Sequence, residues 1–479
     1  MKTKTLPDPL PAQGISRDDL MKQLRERHHH DVDWKAGKTW SLVYSAGEEH
    51  DHLLKSAYEE YFSENYLNPF AFKSLQHMEH EVVRMTAGML HGNEKAVGTM
   101  SSGGTESILL AVYTYREWAR HHHPHIKYPE IIAPQTIHPA FDKAAHLFGL
   151  LLHKTPVDEG RRAQPAEMEP LINKNTILLV ASAPSYPNGI LDPIDRIAIL
   201  AEKYRLPFHV DACIGGFILP WMERLGIKIP DWDFRIPGVT SISADVHKFG
   251  FGPKGSSVIL YRSMDYLKHQ FIITTDYPGG IYISPTLMGT RPGGAIAAAW
   301  AGMKHLGESG YISLAQRLLE ATRQLKSLLI KIPEIKIIGD PVMNIVSYST
   351  DGNQPDIFVI ADYLEKQGWL VDRQQNPDCI HLTIMPTNIE VIDQYVNHLR
   401  SAIEFARGHP RATGEGNAAL YGLMARIPFR GMVEKNVRKL FEELYGGERN
   451  EKDETAEIHP SSGWMGMVSR FLAFRQRHH

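Results

Sequence analysis

The sequence TSISADVHKF, which spans residues 240–249, joins a short β-rich run to a histidine and a lysine. Residues 240–243 predict a buried strand, so Lys248 lies just beyond the end of that strand, next to Phe249. Apolar and aromatic neighbours can desolvate a lysine amine in this position, which favours its use as a nucleophile that forms a Schiff base. A lysine on an exposed loop is the alternative, and it fits most residues of this type.

Similar β-rich runs alternate with helical stretches on both sides of this segment. The runs cover residues 130–133, 150–155, 176–183, 207–210 and 256–261. The main helical stretches are 105–120 and 75–89, where apolar residues recur at steps of three and four. Such alternation is typical of a largely parallel sheet with helices on both faces. We therefore predict an α/β fold with a partly flexible N-terminal arm over residues 1–55 and a large α/β domain over residues 56–310.

The pattern changes after residue 310. Helices are predicted at 314–330, 356–366 and 389–406, and strands near 336–338, 342–349 and 379–384. This order indicates a compact α+β unit rather than a continuation of the alternation. We predict a smaller C-terminal α+β domain over residues 311–479, which ends in a further helical segment.

The composition excludes several classes of protein. The chain has 479 residues, and 52 Lys and Arg against 55 Asp and Glu give a formal charge of −3, so no basic field indicates a nucleic-acid partner. The longest apolar runs are far shorter than the roughly 20 residues of a membrane-spanning helix. The histidines at 28–30 are adjacent, do not share a helix face, and predict no metal site. With only two cysteines, we expect a cytoplasmic protein, and delivery into another cell is an open alternative.

Two further motifs carry groups that could bind a ligand. Asp211, in the sequence PFHVDAC, comes at the carboxyl end of a predicted strand, where α/β sheets bind ligands. A buried carboxylate needs a partner such as the protonated ring nitrogen of pyridoxal phosphate, although an isolated aspartate can equally cap a helix. The sequence SSGGTES, residues 101–107, opens a predicted helix whose free amides could bind a phosphate, and capping uses the same residue types. His138 could stack on a flat ring, or be a core or cap residue.

The order of phosphate nest, histidine, strand-end aspartate and His-Lys pair resembles the fold-type I pyridoxal-phosphate enzymes, and within them the group II decarboxylases. No GxGxxG motif or P-loop lysine competes with this interpretation. The resemblance implies that the cofactor phosphate is held by Gly103, Gly104, Thr105, Ser243 and His247. It also implies that His138 covers one ring face, that Asp211 pairs with the ring nitrogen, and that Lys248 forms the Schiff base.

Within that branch the chain is most similar to the sphingosine-1-phosphate lyase family. The motifs that carry this likeness are NYLNP at 65–69, ASAPSYP at 181–187, GGIY at 279–282, SPTLMGTRPG at 284–293 and AALYG at 418–422. The resemblance implies a homodimer with shared active sites, in which the loop 282–291 reaches into the neighbouring site. It implies a phosphorylated sphingoid base as substrate, and its candidate substrate-binding residues are Tyr44, Asn65, Asn68, Tyr186, Lys254, Arg291 and Tyr421.

The resemblance also implies retro-aldol cleavage of the C2–C3 bond of a 2-amino-3-hydroxy chain, with decarboxylation of an amino acid as the alternative. Tyr186 and Lys248 are the candidates for proton transfer. Asn68 stands where the family usually carries histidine, and an amide cannot transfer protons near neutral pH. Lys254 is a candidate ligand of the substrate phosphate, or an exposed loop lysine. Arg291 could face a phosphate or hold its loop.

Overall fold

The computed structural model describes residues 10–29, 31–68, 70–409 and 430–445. The α-helices are α1 (Arg17–His28), α2 (Glu48–Glu60), α3 (Lys73–Met89), α4 (Gly104–His122), α5 (Ala140–Phe148), α6 (Pro165–Met168), α7 (Ile194–Tyr204), α8 (Leu219–Arg224), α9 (Met264–Leu267), α10 (Gly293–Leu329), α11 (Ile357–Lys366), α12 (Ile392–Gly408) and α13 (Arg430–Tyr445). The strands are β1 (Val97–Ser101), β2 (Glu130–Pro134), β3 (Leu151–Thr155), β4 (Thr176–Ser182), β5 (Phe208–Asp211), β6 (Ser241–Ala244), β7 (Ser257–Tyr261), β8 (Ile272–Thr274), β9 (Tyr282–Ser284), β10 (Ile335–Ile337), β11 (Ile345–Thr350), β12 (Asp372–Gln374) and β13 (Cys379–Thr383).

A seven-stranded sheet in the order β1-β7-β6-β5-β4-β2-β3 forms the centre of the molecule. The neighbours from β6 to β3 run parallel, whereas β7 is antiparallel to both β1 and β6. The predicted α/β class is therefore confirmed, and so are the strands predicted within 130–261. The sequence patterns missed β1, where alternating small and apolar residues give only a weak signal.

Helices cover both faces of this sheet. Every residue of β4 is buried, and its side chains divide between the two faces. Val180 packs in the cluster formed with α4 and α5. Leu179 and Ala181 pack in the larger cluster with α3, α7, α8 and α10. A strand buried on both sides explains why residues 176–183 form a continuous apolar run rather than an alternating one.

A second sheet, in the order β10-β11-β13-β12, is antiparallel throughout and packs with α11 and α12. The helix α10 leads to it from the large sheet and is interrupted at Gly307, where φ is 54° and ψ is −175°. This sheet confirms the predicted α+β character of the region after residue 310. The strand β12 was not predicted, because three residues of sequence Asp-Arg-Gln carry no apolar alternation.

The N-terminal region contains more regular structure than its sequence indicates. Residues 17–28 form α1, whose start is capped by the Ser16 side chain, which accepts a hydrogen bond from the Asp19 amide, and α1 has no buried residue. Residues 37–45 then cross the small sheet, and we call this segment the strap. Trp40 of the strap packs against Tyr395 with ring centroids 4.8 Å apart. Asn388 donates hydrogen bonds to two strap carbonyls, at 2.7 and 3.0 Å. The Thr383 amide of β13 donates to the Trp40 carbonyl at 2.8 Å, so the strap is fixed to the small sheet.

The described residues contain neither a membrane-spanning helix nor a metal-binding cluster. None of the helices in these ranges is long and apolar enough to cross a membrane. Within the same residues, no three His, Cys, Asp or Glu side chains form a group that could hold a metal ion.

Candidate active site

The carboxyl ends of β4, β5 and β6 bring three candidate side chains to one edge of the central sheet. Ser182 pairs with Asp211, and Asp211 pairs with Ser243, so the three strands end in register. Tyr186 follows the end of β4, and Lys248 follows the end of β6. This edge is where parallel α/β sheets bind ligands.

Lys248 forms an ion pair with a residue to which the sequence motifs gave no role. Its Nζ lies 3.1 Å from Asp245 Oδ2, and the Asp245 side chain is only 1% exposed. The Ser257 hydroxyl donates to the same carboxylate at 2.6 Å. Burial alone would lower the pKa of Lys248, but the Asp245 carboxylate outweighs it and the net shift is upward. The amine is therefore held in its charged form by a buried counter-ion.

The turn at Gly103 and Gly104, which opens α4, lies beside the Lys248–Asp245 ion pair, and we call it the phosphate cradle. No side chain caps this helix at Gly103, so its first amides are available to a ligand. A Cβ on Gly104 would lie 2.6 Å from Asp245 Oδ2 and 3.0 Å from Cys213 Sγ. His247 approaches the same turn, since a Cβ on Gly103 would be 3.3 Å from its Cε1. Thr105, the third predicted phosphate ligand, is exposed.

Glu106 supports this cradle and was missed by the sequence analysis. Its Oε2 accepts a hydrogen bond from the Ser102 amide at 2.7 Å, and its Oε1 accepts one from the Leu287 amide at 3.0 Å. The buried carboxylate thus ties the Gly-rich turn to the loop that follows β9. Its place in the first turn of a helix was the only sequence signal for such a role.

Asp211 is buried, and its Oδ1 accepts hydrogen bonds from the Cys213 amide at 3.1 Å and from the Ser243 hydroxyl at 3.5 Å. Ser243 is fully buried on β6 and also contacts His209 Nε2 at 3.2 Å. The resemblance implied that Ser243 binds the cofactor phosphate. Its position beneath Asp211 leads us to propose instead that Ser243 supports that carboxylate.

His138 lies directly before α5. Its Nδ1 accepts a hydrogen bond from the Ala140 amide at 3.1 Å, so the ring orientation is set by the start of that helix. The residue is half-buried, which leaves part of the ring open to a ligand. The cap role and the stacking role that the sequence left open are therefore compatible.

The strap brings Tyr44 and Lys254 together near Lys248. The Lys254 ammonium group lies 4.9 Å from the centroid of the Tyr44 ring, and it donates hydrogen bonds to the carbonyls of Leu42 and His247 at 3.1 and 3.3 Å. Desolvation, and then the charge of Lys248, lower the pKa of Lys254 to about 8. Burial raises the pKa of Tyr44 to about 12, so its phenol is neutral at ordinary pH.

Tyr186 contacts the small sheet as well as the central one. Its hydroxyl donates a hydrogen bond to Asp372 Oδ2 at 2.8 Å. Its ring lies 4.5 Å from the His381 ring. Burial, and then the Asp372 carboxylate, raise the pKa of the Tyr186 phenol well above its usual value.

The remaining candidates form a second group around the loop before α10. Asn65 accepts from the Arg291 amide at 3.3 Å, and the Arg291 guanidinium binds Glu79 and the Met100 carbonyl. These contacts favour the loop-holding alternative for Arg291. Asn68 is exposed, and it accepts from the Phe70 amide in a turn. Tyr421 lies outside the described residues.

Comparison with known proteins assigns most of the chain to one family. The family model of the pyridoxal-dependent decarboxylase conserved domain matches residues 3–351. Sphingosine-1-phosphate lyase 1 of Rattus norvegicus is 40% identical over 439 residues, which cover 91% of this chain and 77% of that protein. The chain belongs to the sphingosine-1-phosphate lyase family.

Solved structures agree with membership of the sphingosine-1-phosphate lyase family. The sphingosine-1-phosphate lyase of Burkholderia pseudomallei is 37% identical and superposes with a TM-score of 0.80, over 85% of this chain and 94% of that one. Glutamate decarboxylase of Lactobacillus brevis has a TM-score of 0.73 at 19% identity, over 84% of this chain and 95% of that one, and so shares the fold. As a member of the lyase family, the chain is a pyridoxal-phosphate-dependent lyase.

The described residues fit that cofactor. His247 Nδ1 is buried and has no hydrogen-bond partner among the described residues, so it can donate to a phosphate oxygen beside the free amides of α4. We propose that Gly103, Gly104, Thr105 and His247 hold the phosphate. We further propose that Asp211 contacts the ring nitrogen, that His138 covers the ring, and that Lys248 is the attachment point.

Replacement of Gly104 by alanine should weaken cofactor binding by about 10- to 100-fold, because overpacking a fixed site costs about 1–3 kcal/mol. The added Cβ would lie 2.6 Å from Asp245 Oδ2, and that carboxylate is held by Ser257 and Lys248. Titration of the cofactor-free protein with pyridoxal phosphate, followed by absorbance, measures the effect. Gly88→Ala is the control, because nothing lies within 4 Å of a Cβ there. A Gly104→Ala protein with wild-type affinity would show that the cradle is misplaced.

Proposed function

We propose that the chain cleaves the C2–C3 bond of sphingosine 1-phosphate and related phosphorylated long-chain bases, releasing a fatty aldehyde and phosphoethanolamine. The observation that carries this proposal is the second cationic side chain at the site. Lys248 and the start of α4 serve the cofactor, and Lys254 lies nearby with its charge held over the Tyr44 ring. A substrate with a phosphate of its own needs such a second cation.

Each side chain at this edge of the sheet has a separate role in the proposed reaction. Pyridoxal phosphate, when bound, supplies an electron sink for the bond that breaks. Asp211 would favour positive charge at the ring nitrogen, because its side chain is a buried carboxylate at the end of β5. Lys248 would hold the cofactor through its amine, and Lys254 with Tyr44 would orient the substrate phosphate. Tyr186 follows the end of β4 at the same sheet edge, where it can receive the 3-hydroxyl proton.

The competing function is decarboxylation of an amino acid by the same fold. The two functions separate by product. The purified protein, loaded with pyridoxal phosphate, is incubated with sphingosine 1-phosphate and assayed for aldehyde, and separately with aromatic and acidic amino acids and assayed for carbon dioxide. We expect aldehyde and phosphoethanolamine in equal amounts. Carbon dioxide without aldehyde would establish the decarboxylase instead.

The role of Lys254 gives a dependence on pH. Its charged form is lost as the pH rises through about 8, so kcat/KM for sphingosine 1-phosphate should fall above that pH. Two charged groups act on Lys254: Lys248 lowers its pKa, and Asp245 raises it by a smaller amount. Lys254→Arg should keep kcat/KM level to about pH 10, because a guanidinium remains charged there. Lys304→Arg, at an exposed ion pair with Glu81, is the control. The same decline in Lys254→Arg would exclude Lys254 as the phosphate ligand.

We also propose that the protein is a homodimer with shared active sites. The hairpin of β8 and β9 exposes a set of apolar side chains that a monomer would leave in water: Ile272, Ile273, Tyr277, Ile281 and Ile283. The loop after this hairpin is joined to the phosphate cradle by Glu106, so a partner packed on the hairpin would lie close to the site. Light scattering measures the molar mass of the purified protein in solution and so tests the dimer. A monomer with full activity would contradict the proposal.

We also propose a cytoplasmic location. Cys213 and Cys379 are both free and buried, as is usual for proteins of a reducing compartment.

A further inference from the structure

Asp372 joins the small sheet to the edge of the central sheet where Lys248 lies. It is the first residue of β12, and its two carboxylate oxygens have different donors. The Tyr186 hydroxyl donates to Oδ2 at 2.8 Å, and the Ser41 hydroxyl of the strap donates to Oδ1 at 3.3 Å. The carboxylate is therefore fixed from two sides, directly behind a phenol that was already a candidate for proton transfer.

The His381 ring fixes the phenol from its face and cannot itself take the proton. His381 Nδ1 lies 3.0 Å from the Pro187 carbonyl, which only accepts hydrogen bonds, so Nδ1 carries the ring proton. Nε2 then accepts from the Thr383 hydroxyl at 2.8 Å. Burial lowers the pKa of His381, which keeps the ring neutral. Both nitrogens are thus occupied, and Asp372 is left as the proton acceptor next to Tyr186.

The direction of the hydrogen bond determines what Tyr186 can do. A phenol has one proton, and here that proton points at Asp372, so the lone pairs of the oxygen remain for another donor. Burial and Asp372 together raise the pKa of Tyr186, so the phenol is not a base by itself. It can take a proton only while it passes its own proton on.

We propose that Asp372 is the positioning residue and final proton acceptor behind Tyr186, which deepens the proposed lyase function and rests on it. The 3-hydroxyl proton of the substrate moves to Tyr186 Oη as the phenolic proton moves to Asp372 Oδ2. The electron pair of the broken O–H bond forms the carbonyl of the aldehyde, and the C2–C3 pair passes to the electron sink. Asp372 returns the proton through Tyr186 when C2 is protonated, so no proton is gained or lost over a turnover. This relay supplies the proton transfer that Asn68 cannot.

The neighbouring charged groups do not compete for the proton that moves between Tyr186 and Asp372. Tyr44 faces Asp372 from the strap and stays neutral, since burial raises its pKa to about 12. Arg373, the next residue of β12, binds Asp362 at 2.6 Å and Glu365 at 2.7 Å, so its charge is engaged by other carboxylates. Lys248 and Asp245 form an ion pair at 3.1 Å, so their opposite charges offset each other.

Variants of Asp372 test the relay in the loaded enzyme. Asp372→Asn keeps the shape and should lower kcat for aldehyde release by about 10²- to 10³-fold, with KM and cofactor absorbance little changed. Asp372→Glu should recover part of kcat, and added formate should raise the activity of Asp372→Ala. Combined with Tyr186→Phe, Asp372→Asn should cause no further loss, because the two residues act in one path. Asp340→Asn, which removes an exposed carboxylate near Lys326, is the matched control and should change nothing.

A second measurement needs neither substrate nor cofactor. Trifluorotyrosine in place of Tyr186 is acidic enough to bring the titration of this phenol into the pH range where the protein is folded, and the fluorine resonance of the cofactor-free protein reports it. Its pKa should be lower in Asp372→Asn than in the parent, because a carboxylate that accepts from the phenol disfavours the phenolate. Asp340→Asn should leave the titration unchanged, and the midpoint of thermal unfolding shows whether each variant is folded.

The outcomes separate the relay from the lyase function. A wild-type protein that releases aldehyde, together with an Asp372→Asn variant of normal kcat, would overturn the relay alone. A loss in Asp372→Asn with no formate rescue of the alanine variant and an unchanged fluorine titration would also overturn it, because that result describes support of the fold. A wild-type protein that releases no aldehyde would refute the proposed function and the relay together.

Discussion

Replacement of Lys248 by alanine should abolish covalent attachment of pyridoxal phosphate and lower aldehyde release by at least about 10³-fold, because it removes both the attachment point and a proton-transfer group. The structure adds a second consequence. Asp245 would then be a buried carboxylate without its cation, which had been 3.1 Å away. We therefore expect Lys248→Ala to lose stability as well, measured as a lower midpoint of thermal unfolding of the cofactor-free protein.

Lys254→Ala is the control that separates the loss of cofactor attachment from a general loss of positive charge at the site. It removes a nearby ammonium that contacts Tyr44 rather than Asp245, so the visible absorbance of the bound cofactor should persist. Lys248→Met replaces the amine with an apolar chain of similar length and should behave like Lys248→Ala in both assays. A Lys248→Ala protein that keeps the cofactor absorbance and turns over would remove Lys248 from the reaction.

Replacement of Asp211 by asparagine should lower kcat by about 10²- to 10³-fold, the usual cost of losing one preorganised electrostatic group. The amide keeps the shape of the site but not the negative charge that favours a protonated ring nitrogen. Cofactor attachment at Lys248 should remain, since the phosphate cradle lies on a different element. The check is kcat from the aldehyde assay, with the absorbance spectrum recorded in parallel.

Ser243→Ala provides a graded control for Asp211. It removes one long hydrogen bond of 3.5 Å to the carboxylate and leaves the charge in place. We expect a loss of less than about tenfold, because a single hydrogen bond contributes about 1 kcal/mol net. Equal losses in Asp211→Asn and Ser243→Ala would mean that the geometry at Asp211, rather than its charge, limits the reaction.

The parts of the site that follow buried strands could be predicted from the sequence. Asp211 and Lys248 each come after an apolar run, and parallel strands place such residues at one edge of a sheet. The glycines at 103–104 could be assigned to a helix start for the same local reason. In each case the signal lies within ten residues of the side chain that it places.

The parts that depend on packing between distant segments could not be predicted. Asp372 lies 186 residues after Tyr186 in the chain, on a three-residue strand that has no apolar pattern of its own. The sequence left Arg291 with two alternatives because its partner, Glu79, is 212 residues away in the chain, on α3. The contact of Ser243 could not be predicted for a different reason. The motif placed it beside the His-Lys pair, and no local pattern predicts the contact of 3.5 Å between its hydroxyl and Asp211 Oδ1.

We propose that one amine, that of Lys248 beyond the carboxyl end of β6, carries the cofactor. Reduction of the loaded protein with borohydride fixes the cofactor to whichever side chain it occupies, and peptide mapping by mass spectrometry then identifies that residue. We predict one pyridoxyl group per chain, on the peptide that contains Lys248. A pyridoxyl group on Lys254 or any other lysine, or none in a preparation that releases aldehyde, would contradict the account.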